Sequence, residues 1–530
     1  MAKNIVICSD GTGNTANKNR GTNVFKLFEM VDQHDPDMAQ ITIYDDGVGT
    51  SAFKPLKILG GAFGWGLARN VRELYAALVR VYEPGDHIYL FGFSRGAFTV
   101  RCLAGLVTRI GILDAQRLDS DETLRKRVKD AYRTYRHDNR AWLERLLGCL
   151  RRRPSIEEFA RAHCRDLEAD LPPAGRGRGR ARIRFVGVWD TVSAVGFPVL
   201  WVADAINCLI YRFKFPNYQL SPCVERAAQA LSIDDERKTF HPRLWDESAE
   251  AEPGERIRQV WFAGVHSNVG GGYPKQGMSL VSLDWMLRQA EAAATDPAER
   301  LRFLAPDREQ VHRHRNVTDK LYDSRAGLAV YYRYAPRDIH RMCTTIRPPC
   351  LMPPWKLLPN ATTRPQIHAS VARRLLAGTE GYAPGNLPAD FELVDVAHEA
   401  CAWPELAEDY RGALKPGETS LLDRTRVLIR LRQAGGWAFM MLTLIWIGLS
   451  LPPDLFSRNL LDIAGYFFSS ELVKNLFRRE FLWLYLLLAA SYALTAFLRW
   501  QIHKRYSAFW HQLRRQRATR TTPEAVSAVA

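Results

Sequence analysis

The stretch Asp86-His-Ile-Tyr-Leu-Phe-Gly-Phe-Ser-Arg-Gly-Ala97 decides the fold of this chain. Its apolar first half predicts a short strand, and the apolar residues from Phe98 onward predict a helix. Between them stands Gly92-x-Ser94-x-Gly96, the pattern of a nucleophile elbow, a tight turn that exposes a serine hydroxyl above a sheet. The pattern alone also occurs by chance, so the strand before it and the helix after it favour the elbow. Glycine at 92 and 96 suits a turn in which strand and helix are crowded together.

The segments around this elbow predict an α/β fold. Strand-like and helix-like patterns alternate through residues 1–115, which indicates a mostly parallel sheet with helices on both faces, as in α/β-hydrolases. Residues 119–182 read as a helical insertion that closes in a Gly/Arg linker, and strand patterns resume at Ile183 and Arg256. We therefore expect a catalytic domain over residues 1–345, followed by a mixed, Pro-rich accessory region over 346–434.

Composition limits the class of protein. The chain has 530 residues and a net charge of +16, with basic clusters that no nucleic-acid recognition motif accompanies, so we expect no nucleic-acid partner. Nine scattered cysteines argue against a disulfide framework and against a Cys-rich zinc site, and they favour a reducing environment. The N-terminus reads as a first strand, and we expect no Sec-type signal peptide there.

Two stretches near the C-terminus carry no charge, residues 435–451 and 481–498. A membrane-spanning helix needs about 17–25 mainly apolar residues, so the first stretch is marginal in length and the second is adequate. Tryptophans stand near their ends, where aromatic belts lie in membrane proteins. The alternative is a buried helical hairpin. We expect a two-helix transmembrane hairpin, followed by a basic tail over residues 501–530.

Charge around the two stretches predicts an orientation. Arginines precede the first stretch between 424 and 432, and basic residues follow the second from Arg499 onward, although the connecting loop is basic as well. The positive-inside rule then favours both tails on the cytoplasmic side. The expected location is the inner (cytoplasmic) membrane, as a multi-pass protein with a cytoplasmic catalytic domain.

A serine nucleophile needs an imidazole to accept its proton and a carboxylate to orient that imidazole. Asp190 follows the strand pattern that begins at Ile183, and His266 follows the one that begins at Arg256, in a glycine-rich loop. The order Ser94, Asp190, His266 is that of the α/β-hydrolases. Each residue also has a plainer interpretation: Asp190 as a turn or capping aspartate, and His266 as a loop histidine, with three others competing for its role (His87, His241 and His312).

The loop Asp10-Gly-Thr-Gly-Asn14 follows the first strand and could supply part of an oxyanion hole. We expect backbone N–H donors from Arg95, directly after the nucleophile, and from Gly11 and Thr12. Asp-Gly-Thr also resembles the phosphatases of the haloacid dehalogenase type, but Cys8 stands where their nucleophilic aspartate would be. The glycine-rich run over residues 60–66 lacks dinucleotide-binding spacing and reads as a turn and helix start. We expect neither a metal nor a cofactor.

Five motifs in order resemble the DUF2235 α/β-hydrolases, which include the catalytic domain of a group of type VI secretion phospholipase effectors. They are Asp10-Gly-Thr-Gly-Asn14, Gly92-Phe-Ser-Arg-Gly-Ala97, Val188-Trp-Asp-Thr-Val192, Asp234-Asp-Glu-Arg237 with Phe240-His-Pro-Arg-Leu-Trp245, and Gly264-Val-His-Ser-Asn-Val-Gly-Gly-Gly-Tyr273. The resemblance covers roughly residues 1–345. It implies a lipase-like hydrolase with Ser94, Asp190 and His266 at the matching positions, and its effector members act on phospholipid acyl esters.

The sequence therefore predicts a serine hydrolase that cleaves a carboxylic ester, with a lipid or phospholipid acyl ester as substrate, at a membrane surface. Two alternatives remain open. One is an antibacterial type VI secretion effector whose C-terminal helices insert into a target membrane, and the other is a non-catalytic membrane scaffold that keeps a hydrolase fold.

Overall fold

The computed structural model describes most of the chain. The described residues are 2–11, 21–46, 62–138, 155–165, 181–192, 219–248, 250, 254–346, 358–359, 364–452 and 474–521.

An eight-stranded sheet forms the centre of the molecule. Its strands are β1 (Asn4–Ser9), β2 (Gln40–Asp45), β3 (His87–Phe93), β4 (Ile183–Trp189), β5 (Val224–Ser232), β6 (Ile257–Phe262), β9 (Gln366–His368) and β10 (Glu392–Val394), and a separate two-stranded ribbon pairs β7 (Thr345–Ile346) with β8 (Leu358–Pro359). The spatial order is β10-β9-β6-β5-β4-β3-β1-β2, and every pairing in this sheet is parallel. The predicted mostly parallel α/β sheet is confirmed.

Helices cover the sheet and extend the chain beyond it. They are α1 (Asn23–Met30), α2 (Ala62–Val81), α3 (Arg95–Ile110), α4 (Asp121–Asp138), α5 (Ile156–His163), α6 (His266–Gly270), α7 (Gly277–Glu291), α8 (Ala305–His314), α9 (Ile339–Thr344), α10 (Ser370–Ala377), α11 (Leu406–Ala413), α12 (Leu422–Ser450) and α13 (Leu482–Thr521). The sheet separates two apolar cores: α2, α3 and α4 pack on one face, and α1 and α7 pack on the other. Each central strand is buried on both faces, which is why it reads as a continuous apolar run rather than an alternating one.

The strand order reverses direction at β1, and this point positions the site. The chain runs outward from β1 to β2 on one side and from β3 to β10 on the other, so the loops after β1 and β3 diverge there. In open parallel sheets, ligands bind at such a switch point, outside the carboxyl ends of the strands. The end of β3 lies level with the end of β4, since Phe93 pairs with Trp189. Residues 94 and 190 are therefore neighbours at one edge of the sheet.

The sheet continues beyond residue 345. Strands β9 and β10 lie beside β6, and a third apolar core joins them to α13 through side chains such as Trp261, Trp403 and Trp510. Two strands from the region over 346–434, which we expect to be an accessory region, thus belong to the central sheet. The predicted domain boundaries otherwise stay a prediction.

The two C-terminal helices are longer than the apolar stretches that we identified. Helices α12 and α13 run antiparallel and in contact, with Trp446 packed on Tyr485 at 5.8 Å between ring centroids. Both are long and apolar enough to cross a membrane, and only 22% of each apolar window is buried inside the protein. In the described part of the chain, every exposed large hydrophobic side chain except Leu304 lies at residue 427 or beyond. This exposure disfavours a buried hairpin and indicates membrane association.

Candidate active site

Ser94 stands at the turn between β3 and α3 in a strained conformation. Its φ is 59° and its ψ is −117°, a region that residues other than glycine seldom adopt, at a cost of about 1–3 kcal/mol. Two backbone hydrogen bonds hold the turn: Ser94 N–H donates to the Trp189 carbonyl at 3.0 Å, and Val192 N–H donates to the Ser94 carbonyl at 3.3 Å. The Ser94 side chain makes no capping bond to α3. This is the geometry of a nucleophile elbow.

The elbow depends on the two glycines that the sequence singled out. A Cβ at Gly92 would lie 2.7 Å from Ala97 Cα, and a Cβ at Gly96 would lie 2.0 Å from the carbonyl oxygen of Ser9. The second contact is with backbone of β1, which cannot move without disturbing the centre of the sheet. Gly96 thus allows α3 to start directly against the end of β1.

We expect Gly96→Ala to lower the free energy of unfolding by about 3 kcal/mol or more, because backbone overlap cannot relax through a side-chain rotation. Thermal unfolding of the purified protein measures this. Gly412→Ala on the surface of α11 is the matched control, since no atom lies within 4 Å of the added Cβ, and it should leave the midpoint unchanged or slightly raised. Equal midpoints for the two variants would contradict the role assigned to Gly96.

Asp190 follows β4 and is completely buried. Its φ of 42° turns the chain sharply at the end of the strand and directs the carboxylate toward β5 and β6. There its Oδ2 lies 2.6 Å from Nδ1 of His266, while its Oδ1 accepts the N–H of Ser232 at 3.1 Å. The structure therefore brings Asp190 and His266 together, across 76 residues of sequence.

His266 is the first residue of α6 and is also buried. Its ring lies between Phe93 and Phe240, with centroid distances of 4.6 and 5.0 Å, and its backbone N–H donates to Asp235 at 3.2 Å. Because Phe93 directly precedes Ser94, this packing places the imidazole beside the elbow. Among the residues described, no hydrogen bond joins Ser94 Oγ to His266, and such bonds are often long before substrate binds.

Arg337 is a site residue that the sequence analysis missed. Its guanidinium is fully buried and donates two hydrogen bonds to the Asp190 carboxylate, of 2.6 Å to Oδ1 and 2.8 Å to Oδ2. It also donates to the carbonyls of Ser232 and Phe240, at 2.6 Å each. A lone arginine in the Pro-rich stretch after residue 335 carries no recognisable motif, so only the fold could identify it.

The charges at the site suit base catalysis. Burial would raise the pKa of Asp190, but the guanidinium of Arg337 and the hydrogen bonds from Arg337 and His266 outweigh it and hold that pKa below its ordinary value. Burial also lowers the pKa of His266, more than its hydrogen bond to Asp190 raises it. Near neutral pH, the pair is thus an ionised carboxylate beside a neutral imidazole, the state that a general base needs.

Two of the predicted oxyanion donors, Arg95 and Gly11, lie at the same edge of the sheet. Arg95 is the first residue of α3, and Gly11 follows the end of β1 closely. The Gly11 N–H donates to Oδ1 of Asp10 at 2.6 Å, and the other Asp10 oxygen accepts the hydroxyls of Thr22 and Tyr44. Thr12 lies outside the described residues. The roles of Arg95, Gly11 and Thr12 stay predictions.

The structure also bears on two other sequence motifs, the phosphatase-like Asp-Gly-Thr loop and the glycine-rich run over residues 60–66. Cys8 is fully buried inside β1, and burial together with Asp10 raises its thiol pKa, which excludes it as a nucleophile in a phosphatase-like site. Ala62–Gly66 form the first turns of α2, as expected for a helix start, while residues 60 and 61 lie outside the described residues.

The three competing histidines lie elsewhere. His87 opens β3 at the amino end of the sheet and faces Asn4 at 3.2 Å. His241 bonds to the carbonyl of Ala335 at 3.0 Å, and burial lowers its pKa to about 3. His312 lies on α8, beside Asp284. Of the four histidines considered, His266 is the one that contacts Asp190.

Three side chains of kinds that can bind a metal ion lie close together: Asp284, His312 and His398 have possible ligand atoms within 4.8 Å of one another. Three arginines share the same carboxylate, with Arg308 at 2.6 Å, Arg288 at 3.5 Å and Arg315 at 3.6 Å. Burial raises the pKa of Asp284, but these arginines outweigh it and bring the pKa to about 2. So much positive charge disfavours a cation there, and we interpret the cluster as an ion-pair network.

Comparisons with known proteins agree with the resemblance found in the sequence. A family model described as "T6SS, Phospholipase effector Tle1-like, catalytic domain" matches residues 3–289. The "Uncharacterized protein YEL023C" of Saccharomyces cerevisiae (strain ATCC 204508 / S288c) is 29% identical over 251 residues, which is 45% of this chain and 32% of that protein. The chain thus spans about a third of the length of this curated relative.

A solved structure is also similar, the "Crystal structure of an uncharacterized protein from Pseudomonas aeruginosa". It is 19% identical with a TM-score of 0.32, and the match covers 59% of this chain and 48% of that one. The family model covers more than half of the 530 residues, from the first strand through α7. The chain therefore belongs to the family of type VI secretion Tle1-like phospholipase effectors, whose catalytic domain it carries.

Proposed function

We propose that this protein is a membrane-associated serine hydrolase that cleaves acyl esters of phospholipids with Ser94, His266 and Asp190. The observation that carries the proposal is the 2.6 Å contact between Asp190 and His266, beside the strained Ser94 elbow. Family membership supports lipase or phospholipase activity. The two apolar helices support a membrane as the place where the enzyme meets its substrate.

In this mechanism Nε2 of His266 accepts the proton of Ser94 as Oγ attacks the ester carbonyl. Asp190 keeps the other proton of the imidazole on Nδ1 and stabilises the imidazolium that forms. The N–H groups of Arg95 and the loop at Gly11 and Thr12 hold the oxyanion, which requires the Gly11 N–H to turn away from Oδ1 of Asp10. His266 then protonates the departing alcohol, and water, activated by the same histidine, releases the fatty acid from Ser94.

Labelling and product analysis test the proposal. The full-length protein is reconstituted with phospholipid vesicles, and released fatty acid and lysophospholipid are measured by mass spectrometry. A fluorophosphonate, which reacts with activated serines, should stop the release and leave a covalent adduct on the peptide that contains Ser94. Release without labelling of Ser94, or no release from any phospholipid or short ester, would remove the proposed mechanism.

Arg337 yields a pH-dependent prediction. Because the pKa of His266 is lowered, the acid limb of kcat/KM should lie below the ordinary histidine value of 6.5. Removing the Arg337 cation leaves the Asp190 charge less neutralised, so the imidazolium gains stability and the limb should move to higher pH in Arg337→Gln. We also expect a drop in kcat/KM of about tenfold or more, since hydrogen bonds to charged groups contribute about 1.5–3 kcal/mol.

Arg337→Lys is the control, because it keeps the charge but loses the paired geometry. Its acid limb should stay near that of the wild type, even where kcat/KM falls. If Arg337→Gln and Arg337→Lys share an unshifted limb, Arg337 supports only the fold and does not tune the site.

The family description favours a second candidate, an effector delivered to another cell. A competition assay separates the two. An effector requires that cells producing the protein kill neighbours that lack an immunity protein, and that producers of Ser94→Ala do not. A resident enzyme has no such effect on neighbours.

A further inference from the structure

The segment Gly327–Arg333 lies between the candidate active site and helix α12. Its first five residues form a 3₁₀ turn, and hydrogen bonds tie it to the body of the enzyme. Lys238 N–H donates to the carbonyl of Arg333 in the segment at 2.8 Å, and two residues past the segment Ala335 N–H donates to the Glu236 carbonyl, also at 2.8 Å. The segment is therefore a firmly attached wall rather than a free loop.

The inner side of this wall reaches the catalytic residues. The ring of Tyr332 meets Phe240 edge-on at 5.5 Å, and Phe240 meets His266 edge-on at 5.0 Å. Arg237, which pairs with Asp235, lies 3.5 Å over the Phe240 ring and fixes it in place.

The outer side of the wall reaches the apolar part of α12. Tyr331 packs on Phe439 at 5.5 Å, and the guanidinium of Arg333 lies 5.5 Å over Trp437. Phe439 is four residues past Gly435, where the charge-free stretch begins, which places it about 6 Å along the apolar helix. Two aromatic residues near the start of the charge-free stretch of α12, Trp437 and Phe439, thus contact the wall directly.

Ring contacts therefore link His266 to Tyr332 through Phe240 on the inner side and Tyr331 to Phe439 on the outer side, and the two tyrosines are consecutive in the chain. We define Phe240, Tyr332, Tyr331 and Phe439 as the aromatic path. None of these four residues is fully buried, so their rings remain partly available to a ligand. Tyrosine suits such a place, since its ring is apolar and its hydroxyl can stay hydrated at a bilayer surface.

We infer that the aromatic path receives an acyl chain of a membrane lipid, so that the substrate reaches Ser94 from the bilayer rather than from water. This inference rests on the proposed function and adds to it the route by which the acyl chain of the substrate reaches the site. The physical reason is that every methylene drawn into water is unfavourable, whereas contact with aromatic rings keeps the chain covered.

Two substrates compared in one preparation test the inference. The full-length protein in phospholipid vesicles is assayed with a long-chain vesicle phospholipid and with soluble p-nitrophenyl butyrate. Tyr331→Ala and Phe439→Ala should each lower the ratio of lipid rate to short-ester rate about tenfold, because each removes an aromatic ring that would contact the acyl chain. Leu444→Ala, an exposed apolar position farther along α12, is the matched control and should leave the ratio unchanged.

The possible outcomes separate this inference from the proposed function. An unchanged ratio in both variants, including an equal loss on both substrates, overturns the aromatic path but leaves the hydrolase intact. An equal fall in the Leu444→Ala control also overturns it, because the effect would then belong to the membrane helix in general. A wild-type protein with no Ser94-dependent hydrolysis of either substrate overturns the function and the path together.

Discussion

Replacing Ser94 with alanine is expected to lower kcat for ester hydrolysis by about 10⁴- to 10⁶-fold. The hydroxyl is the only part of the side chain removed, and alanine keeps the Cβ that the strained turn already accommodates at a φ of 59°. Binding and the oxyanion donors remain, so a small residual rate is expected. Initial rates on vesicle phospholipid and on a p-nitrophenyl ester measure the loss.

Ser267→Ala is the control for this experiment. Ser267 stands next to His266 on α6, but it does not lie on the elbow, so its loss should leave kcat near the wild-type value. Matched thermal midpoints would show that both variants are folded. A Ser94→Ala protein that hydrolyses esters as fast as the wild type would remove Ser94 as the nucleophile.

Asp190→Asn is expected to lower kcat by about 10⁴-fold. The amide can donate to Nδ1 of His266, which would place the imidazole proton on Nε2, the atom that must accept the Ser94 proton. The same change deprives the buried guanidinium of Arg337 of its carboxylate, so we expect a loss of stability of about 3–5 kcal/mol. Activity is measured below the lowered thermal midpoint, so that the two effects are separated.

Asp234→Asn is the matched control. Asp234 is a partly buried carboxyl on the same edge, and it accepts the Gly264 N–H at 2.6 Å and the Tyr382 hydroxyl at 3.0 Å without touching His266. Burial raises its pKa to about 6, so a neutral amide suits its surroundings. If Asp190→Asn and Asp234→Asn retained similar activity, Asp190 would not be the orienting carboxylate.

The family match ends at residue 289, but the candidate active site includes residues that come later in the chain. Arg337 and the segment with Tyr331 and Tyr332 come from the part of the chain that follows, and they contact Asp190 and Phe240 respectively. The residues that hold the charge of the site and those that link it to α12 thus lie outside the matched catalytic domain. This arrangement makes the segment after residue 289 part of the same folded body as the candidate site.

Much of the centre of this protein could be predicted from local sequence. Strand β3, the elbow at Ser94 and the two glycines beside it follow from short-range patterns, because a turn this tight admits few residue types. Asp190 and His266 could be proposed because each follows a strand, and the carboxyl ends of parallel strands meet at one edge. The apolar stretches near the C-terminus were recognised by their lack of charge.

Other features required the tertiary structure, for a physical reason. Strands β9 and β10 have three residues each, too few for a periodic pattern, and their place beside β6 is set by pairing. Helices α12 and α13 continue beyond their apolar stretches, because their basic ends pack on the body instead of ending at a membrane surface. Both features are set by contacts with segments that are distant in sequence.

The sequence by itself therefore determined the parallel α/β sheet, the elbow at Ser94 and the choice of Asp190 and His266 as its candidate partners. Only the tertiary structure decided that Arg337 holds Asp190, that Tyr332 packs on Phe240 beside His266, and that Tyr331 contacts α12. The reason is that a serine elbow is defined by backbone geometry over five residues, whereas a buried ion pair and a series of ring contacts are defined by distances between segments far apart in the chain.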